Sequence, residues 1–221
     1  MFQVASSSIS LAVRKLFERN VDEESIANDA FNAEWFAQGR ASPIDTSTCT
    51  HGRGVAINNP VDMGKPLWKI SKGGNTWNVT DIDVPEMTFV VGYTGVYAPT
   101  GPIVERVRKF KERNGFAKAI RRRDKEDLGD IMTRNHKLLS ILGVSCNELN
   151  KLVNASLPHS YGAKLTGSGG GGSMIALTDE PEAVCEAIRL HGGTPMVVHT
   201  ETEGVREEKN VPNNGAFPLE L

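Results

Sequence analysis

The chain has 221 residues, of which 39% are hydrophobic and 24% are charged, and its formal net charge is -2. This composition is ordinary for a globular protein, and the charge gives no reason to expect a nucleic acid or an anionic membrane as a partner. No apolar run approaches the roughly 20 residues of a membrane span, and the first ten residues lack the pattern of a secretory signal. Cys49, Cys146 and Cys185 fit neither a disulfide framework nor a zinc site, so we expect a cytoplasmic protein.

Two helices are predicted in the first forty residues. The three serines at 6–8 are candidate caps of the first helix, whose apolar residues recur at roughly helical spacing. The second helix runs through VDEESIANDAFNAEWFAQ and ends at Gly39. The residues predicted to face a core are Ile9, Leu11, Val13, Leu16 and Phe17 in the first helix, and Ile26, Ala30, Ala33 and Phe36 in the second.

The segment GRASPIDTSTCTHGRG has the composition of a loop, because Pro43 and small polar residues dominate it. Short strands are predicted at GVAI and LWKIS, and GGN at 73–75 is typical of a turn. A stronger strand follows in MTFVVGYTG. A helix is predicted after Pro102, with Val104, Val107 and Phe110 as its apolar stripe.

The second half of the chain alternates helices and strands. KEDLGDIMTRNHKLLSILG is the most periodic helical segment, and CNELNKLVNASL predicts another helix. After a glycine-rich run come a helix in EPEAVCEAIRLHGG and a strand in TPMVVHT. Residues 207–221 lack periodicity and predict a loose tail. The order predicts an α+β protein with a division between residues 72 and 86.

The glycine-rich run TGSGGGGSM, residues 166–174, has two interpretations. As a flexible spacer it should join two independent units, but only about 40 residues follow it, few for a separate domain. The flanking GAKLT and SMIALT are both strand-like, which favours a strand–loop–strand unit. Such a loop is either a hairpin without a ligand or a nest of backbone N–H groups for phosphate oxygens.

Two acidic residues are candidates for phosphoryl-transfer chemistry. Asp45 is the one acid in a segment of small hydroxyl residues, and Glu34 lies eleven residues earlier. Phosphoryl transfer needs a carboxylate for the attacking hydroxyl, oxygen ligands for Mg²⁺ and donors around the phosphates. The alternatives are a turn-forming Asp45 and a solvated Glu34 on a helix face.

GRASPIDTSTCTHG and YGAKLTGSGGGGSMIAL together resemble the archaeal-type mevalonate kinases of the GHMP family of small-molecule kinases. VVGYTGVYAPTGPIVERVRKF and IMTRNHKLLSILGVSCNELNKLV are similar to the C-terminal half of those enzymes. The resemblance runs from about residue 6 to 205. It implies an incomplete N-terminal GHMP domain over residues 1–80, a C-terminal ferredoxin-like α/β sandwich over 81–206 and a disordered tail over 207–221.

The resemblance also implies Mg²⁺-dependent transfer of the γ-phosphoryl group of ATP to the 5-hydroxyl of mevalonate. It is compatible with a homodimer. It assigns Asp45 as the base and Glu34 as a Mg²⁺ ligand. Ser7 is a further candidate ligand for Mg²⁺ and the nucleotide. The residues implied near the nucleotide phosphates are Thr166, Gly167, Ser168, Gly169, Gly170, Gly171 and Gly172. Those implied near the substrate are Ser42, Thr46, Thr48 and Thr94.

The sequence departs from the family in three places. The family's first strand and main glycine-rich ATP loop have no counterpart before residues 6–8, and KAIRRRDKEDLG is shorter than the matching family region. We therefore expect roughly the C-terminal two-thirds of a kinase. A catalytically inactive fragment or weak nucleotide-binding module is the alternative. Phosphomevalonate, homoserine and the 3-hydroxyl of mevalonate are lesser alternatives as acceptors.

Other candidate residues favour ordinary structural roles. Residues 121–123 are three arginines that predict a solvated face balanced by nearby acids. The five histidines show no metal-ligand spacing, although His51 follows the Asp45 segment closely enough to reach the site. Lys164 precedes the glycine run and points to a phosphate or to solvent. Trp35 and Phe36 are interpreted as core residues.

Overall fold

The computed structural model describes residues 2–39, 41–58, 64–97, 120, 122–200 and 203–207. The chain divides into two compact units, one formed by Met1–Asp81 with Thr202–Leu221 and one by Ile82–Glu201. The helix predicted after Pro102, Arg121 and nearly all of the predicted tail lie outside the described residues. Within the described ranges, no helix has the length and apolar character needed to cross a membrane.

The first unit begins with three helices: α1 (Phe2–Leu16), α2 (Glu23–Gln38) and α3 (Pro43–His51). Helix α2 starts where the carboxylate of Asp22 accepts a 2.7 Å hydrogen bond from the amide of Ser25. It ends at Gly39, whose φ of 71° confirms the predicted glycine stop.

The predicted apolar face of α1 is wrong. The helix begins at Phe2, so Ser6–Ser8 lie inside it and do not cap it. Four of the five predicted core residues, Ile9, Val13, Leu16 and Phe17, are exposed. Among residues 5–16 of the helix, Ser7 and Ser10 are the buried ones. The serine face is buried because its hydroxyls find hydrogen-bond partners on α2 and α3, at Asp29, Thr46 and Thr50.

Helix α3 replaces the loop predicted at GRASPIDTSTCTHG. Ser42 caps its N-terminus, Pro43 occupies the first turn, and Gly52 (φ 79°) ends it. The hydroxyls of Thr46 and Thr48 donate to the backbone carbonyls of Pro43 and Ile44. A composition typical of loops therefore folds as a helix, because its small hydroxyl residues bond within the helix and pack closely in the interior.

A three-stranded sheet completes the first unit. Its strands are β1 (Gly54–Ile57), β2 (Lys65–Lys72) and β3 (Asn75–Ile82), in the spatial order β1-β3-β2. Strands β2 and β3 pair antiparallel around the predicted turn, where Gly73 and Gly74 have positive φ. The core of the unit lies between α2 and this sheet and contains Ala27, Phe31, Trp68, Ile70 and Val79.

Aromatic packing on α2 corrects another prediction. The ring of Phe31 lies 5.7 Å from that of Trp35 and 5.5 Å from that of Trp77, measured between centroids. Phe36, predicted to be a core residue, is 93% exposed, and Ala33 is exposed as well. Ile26 and Ala30 are buried as predicted, but the buried face continues through Ala27, Phe31 and Glu34 and not through Ala33 and Phe36.

The second unit is a four-stranded antiparallel sheet covered by helices. In chain order its elements are β4 (Thr88–Tyr93), α4 (Lys125–Ile141), α5 (Asn147–Ser156), β5 (Gly162–Thr166), β6 (Ser173–Leu177), α6 (Pro181–Leu190) and β7 (Thr194–His199). A short 3₁₀ turn, Leu157–His159, follows α5. The spatial order is β5-β6-β4-β7, with every neighbouring pair antiparallel. The predicted α+β class and each predicted element in the described part of this unit are confirmed.

Candidate active site

Glu34 is a buried carboxylate without a full set of partners. Its side chain is 3% exposed on the inner face of α2, and its Oε1 atom has no hydrogen-bond partner among the described residues. Burial raises the pKa of Glu34, the negative charge of Asp45 raises it further, and a hydrogen bond with the Ser6 side chain opposes both effects. An unpartnered buried oxygen is costly, so this position is suited to a bound cation.

Asp45 lies in the first turn of α3, where the partial positive charge of a helix N-terminus favours a carboxylate. Its side chain is exposed, in contrast to that of Glu34. The charge of Asp45 raises the pKa of both Glu34 and Cys49, so these three side chains lie within electrostatic range of one another. The structure therefore brings the two predicted carboxylates together.

Cys49 was not predicted as a site residue, and among the serines at 6–8 the predicted ligand was Ser7. Cys49 follows Asp45 by one helical turn, and burial, Asp45 and Glu34, in that order, raise the pKa of its thiol. Ser6, rather than the predicted Ser7, interacts with the Glu34 carboxylate. The i, i+4 spacing of Asp45 and Cys49 is a usable signal only once the segment is known to be helical.

The hydroxyls around the carboxylates mostly hold the helices together. Ser7 is 1% exposed; its hydroxyl donates to the carbonyl of Thr46 (3.4 Å) and accepts from the hydroxyl of Thr50 (3.3 Å). The hydroxyls of Thr46 and Thr48 are bonded within α3, and that of Ser42 caps it. Of the four hydroxyl residues predicted here, Ser42 alone is exposed.

His51 lies between two carboxylates and is hydrogen-bonded to that of Glu23. Its Nδ1 atom lies 2.7 Å from Oε2 of Glu23, and its Nε2 atom lies 3.4 Å from Oδ1 of Asp81. These contacts connect the end of α3 to the start of α2 and to β3. The imidazole therefore has a structural position at the end of α3, away from the first turn that carries Asp45.

In the second unit, residues 167–172 form a glycine loop between β5 and β6. The two strands pair antiparallel up to Thr166 and Ser173, which shows that the run is a turn and not a spacer. Five of its six residues have positive φ: Gly167, Gly169, Gly170, Gly171 and Gly172. Glycine tolerates this backbone, which a residue with a Cβ rarely adopts.

Two of the loop amides anchor the loop. Gly170 donates to the carbonyl of Val144 (2.7 Å), and Gly172 donates to that of Val96 (2.8 Å). The carbonyl of Gly172 accepts from both the amide (2.9 Å) and the hydroxyl (2.8 Å) of Thr94. Thr94, predicted to lie near substrate, therefore holds the loop in place.

The other loop amides, those of Gly167, Ser168, Gly169 and Gly171, have no acceptor in the described part of the chain. The loop lines a cleft of about 350 Å³ together with Tyr93 and Tyr97. Lys164 is half-buried on β5, where burial lowers the pKa of its ammonium group. Unpaired amides beside an open cleft are the arrangement that binds phosphate oxygens.

The first-unit carboxylates fit a magnesium ion better than a metal held by protein alone. No group of three or more His, Cys, Asp or Glu side chains in the described ranges is arranged to hold a metal ion. Mg²⁺ commonly takes one or two carboxylates, with waters and phosphate oxygens completing the shell. Glu34 and Asp45, with the Ser6 hydroxyl, provide such a partial set.

Comparison with known proteins supports this description. The family GHMP kinases C terminal matches residues 116–193. The mevalonate kinase of Pyrococcus furiosus is 33% identical over 90% of this chain and 61% of its own length. That of Methanocaldococcus jannaschii is 30% identical over 80% of this chain and 57% of its own length. The chain therefore spans about three-fifths of the length of these relatives.

Solved structures agree on the fold. The crystal structure of Methanococcus jannaschii mevalonate kinase superposes with a TM-score of 0.60 at 27% identity, covering 86% of this chain and 59% of that one. The L. major mevalonate kinase, solved with R-mevalonate, has a TM-score of 0.73 at 23% identity, covering 92% and 66%. The predicted GHMP kinase fold and the predicted resemblance are confirmed. Residues 116–193 thus match the GHMP kinase C-terminal family, and the chain is similar to the archaeal mevalonate kinases over about nine-tenths of its length.

Proposed function

We propose that this chain takes part in ATP-dependent phosphorylation of the 5-hydroxyl of mevalonate. The observation that carries the proposal is the pair formed by Glu34 and Asp45. One carboxylate is buried with an unpartnered oxygen, and the other is exposed at a helix N-terminus within electrostatic range. The relatives that match most of the chain are mevalonate kinases, which favours mevalonate as the acceptor.

Asp45 is assigned to the acceptor hydroxyl. As the hydroxyl oxygen attacks the γ-phosphorus of ATP, its proton passes to the Asp45 carboxylate, the new P–O bond forms and the bond to the β-phosphate oxygen breaks, releasing ADP. Ser42 is the exposed hydroxyl nearest to Asp45 in sequence and is assigned a substrate contact. The hydroxyls of Thr46 and Thr48 fix the first turns of α3 and thereby the direction of the Asp45 side chain.

Glu34 and Ser6 are the residues assigned to Mg²⁺, with Ser7 supporting them from the next position of α1. When bound, Mg²⁺ neutralises charge on the phosphate oxygens. A cation held by Glu34 would give its orphaned Oε1 a partner and would offset the cost of burying an ionised carboxylate.

The glycine loop is assigned to the nucleotide phosphates. The amides of Gly167, Ser168, Gly169 and Gly171 are the candidate donors, because those of Gly170 and Gly172 already bond to Val144 and Val96. Six of the seven predicted residues are thus divided into four donors and two anchors, and the seventh, Thr166, ends strand β5. The proposed location is the reducing cytoplasm, because Cys49, Cys146 and Cys185 are free thiols.

The test measures ADP formation by the purified chain with ATP, Mg²⁺ and a panel of acceptors: mevalonate, phosphomevalonate and homoserine. We expect mevalonate-dependent turnover that falls about 10²- to 10⁴-fold in Asp45→Asn, the range for loss of a catalytic base. Asp127→Asn is the matched control, because Asp127 is also an exposed acid in the first turn of a helix. Phosphorus NMR of the product distinguishes the 5-hydroxyl from the 3-hydroxyl.

Turnover that is equal in Asp45→Asn and in the parent chain would overturn the assignment of the base. Turnover with phosphomevalonate or homoserine but not with mevalonate would overturn the acceptor. If no acceptor gives turnover while ADP still binds, the chain is an inactive nucleotide-binding module, and the proposed activity is wrong for this chain.

A further inference from the structure

His136 is a buried polar side chain that contacts the strand leading into the glycine loop. It lies on α4 and is 5% exposed. Its Nδ1 atom accepts a 3.2 Å hydrogen bond from the amide of Leu165, the residue that precedes Thr166. A histidine nitrogen accepts a hydrogen bond only when it carries no proton, so this contact requires a neutral imidazole.

A second connection reaches the middle of the same loop. The hydroxyl of Ser145 donates to Oδ1 of Asn150 (2.7 Å), and the Asn150 side chain also acts on the His136 ring as a hydrogen-bonding group. Val144, next to Ser145, accepts the anchoring bond from Gly170. The strand that enters the loop is therefore bonded to His136 on α4, and the centre of the loop is bonded to the α4–α5 connection, one residue from the Ser145–Asn150 pair.

The surroundings of His136 favour the neutral ring. Burial lowers the pKa of His136, the positive charge of Lys164 on β5 lowers it further, and Asn150 opposes both effects. On its own helix, Arg134 and Lys137 are exposed, and so are Glu148 and Lys151 on α5. A proton added to the ring turns an acceptor that faces the Leu165 amide into a donor, and the two N–H groups then repel each other.

We propose that His136 is a positioning residue for the glycine loop, and that its neutral imidazole holds the loop in the shape that binds phosphate. The phosphate-binding part of this inference rests on the proposed function, whereas the positioning part concerns the loop alone. The proposed role of His136 involves no contact with phosphate or substrate. It acts through Leu165 on one side and through Asn150, Ser145 and Val144 on the other.

The test uses the full chain in three forms: parent, His136→Gln and His136→Leu. Glutamine retains a carbonyl acceptor that does not titrate, and leucine has none. His159→Gln is the matched control, because His159 is an exposed histidine of the same unit, with its Nδ1 atom 3.4 Å from Oε2 of Glu180. Hydrogen exchange of the Leu165 and Gly170 amides is followed by NMR. ADP is titrated into each variant in the presence of Mg²⁺ at several pH values to measure its affinity.

As His136 becomes protonated, we expect the Leu165 and Gly170 amides of the parent chain to lose protection from exchange. ADP affinity should fall about fivefold, because the loss of one buried hydrogen bond costs a free energy of that size. His136→Gln should keep both properties with a flatter pH profile. His136→Leu should lose both at every pH, and His159→Gln should behave as the parent. The phosphates of ADP also gain and lose protons with pH, which changes the affinity in every variant. The effect of His136 is therefore measured as the difference between the pH profiles of the variants.

Equal pH profiles in the parent and His136→Gln would overturn the role of protonation. Unchanged protection of Leu165 and Gly170 in His136→Leu would overturn the positioning role altogether. If ADP binds to none of the variants while the amides respond as expected, the positioning role stands and the assignment of the loop to nucleotide phosphates is overturned instead.

Discussion

A Cβ atom built on Gly169 would lie only 2.2 Å from the carbonyl oxygen of Val144. The same carbonyl accepts the amide of Gly170, so the loop and the α4–α5 connection meet backbone against backbone. This close approach of two backbones explains a glycine at position 169 in addition to any need for positive φ.

Gly169→Ala should therefore destabilise the second unit by about 1–3 kcal/mol and weaken ADP binding, since the loop has to move away from Val144. Gly167→Ala is the control, because Gly167 has a similar φ of 77° but open space around its Cβ position. Its cost should be limited to the left-handed backbone, about 1 kcal/mol. Urea unfolding measures both, and equal losses would show that the contact with Val144 is unimportant.

The glycine loop was predictable because its flanks carry the information. GAKLT and SMIALT are strand-like by themselves, and their pairing up to Thr166 and Ser173 leaves the glycines no position but the turn. The bond that uses the amide of Gly170 could not be predicted, because Val144 is far from it in sequence. Division of the loop into donors and anchors therefore needed the structure.

The α3 helix and the polar face of α1 mark where sequence reasoning failed. Pattern analysis assumes that apolar residues are inside, whereas Ser7, Thr46 and Thr50 are buried and bonded to one another across two helices. Small hydroxyl residues satisfy their own hydrogen bonds and allow helices to approach closely. The local signal was present in Ser42 and Pro43, a cap and a first-turn proline, but composition outweighed it.

Phe31 and Phe36 offer a direct test of which face of α2 is buried. Phe31 is 1% exposed between Trp35 and Trp77, whereas Phe36 is 93% exposed. Phe31→Ala should lower the free energy of unfolding by about 3–5 kcal/mol, and Phe36→Ala should change it by less than about 0.5 kcal/mol. Thermal or urea unfolding of the two variants checks the difference. A larger loss from Phe36→Ala would mean that α2 is rotated from its position here.

Glu34 links stability, pH and magnesium in one prediction. Its folded pKa is raised above the ordinary value of 4.5, first by burial and then by Asp45, so the folded protein holds this proton more tightly than the unfolded chain. The contribution of Glu34 to stability is then fully present below the unfolded pKa and is lost as pH rises through the folded pKa. Ionised Glu34 destabilises the metal-free protein above that range, and the proposed function requires Mg²⁺ to bind this ionised form.

Mg²⁺ should therefore raise the melting temperature more at about pH 8 than at about pH 5, since at low pH it competes with the Glu34 proton. Glu34→Gln should remove most of the Mg²⁺ effect and flatten the fall in stability with rising pH. Glu24→Gln, an exposed position on the same helix, is the control and should retain both. Scanning calorimetry with and without Mg²⁺ measures these changes. If Mg²⁺ raised the melting temperature of Glu34→Gln as much as that of the parent chain, the ion would bind elsewhere. If the Mg²⁺ effect on the parent chain became smaller with rising pH, the ionised form of Glu34 would not be its ligand.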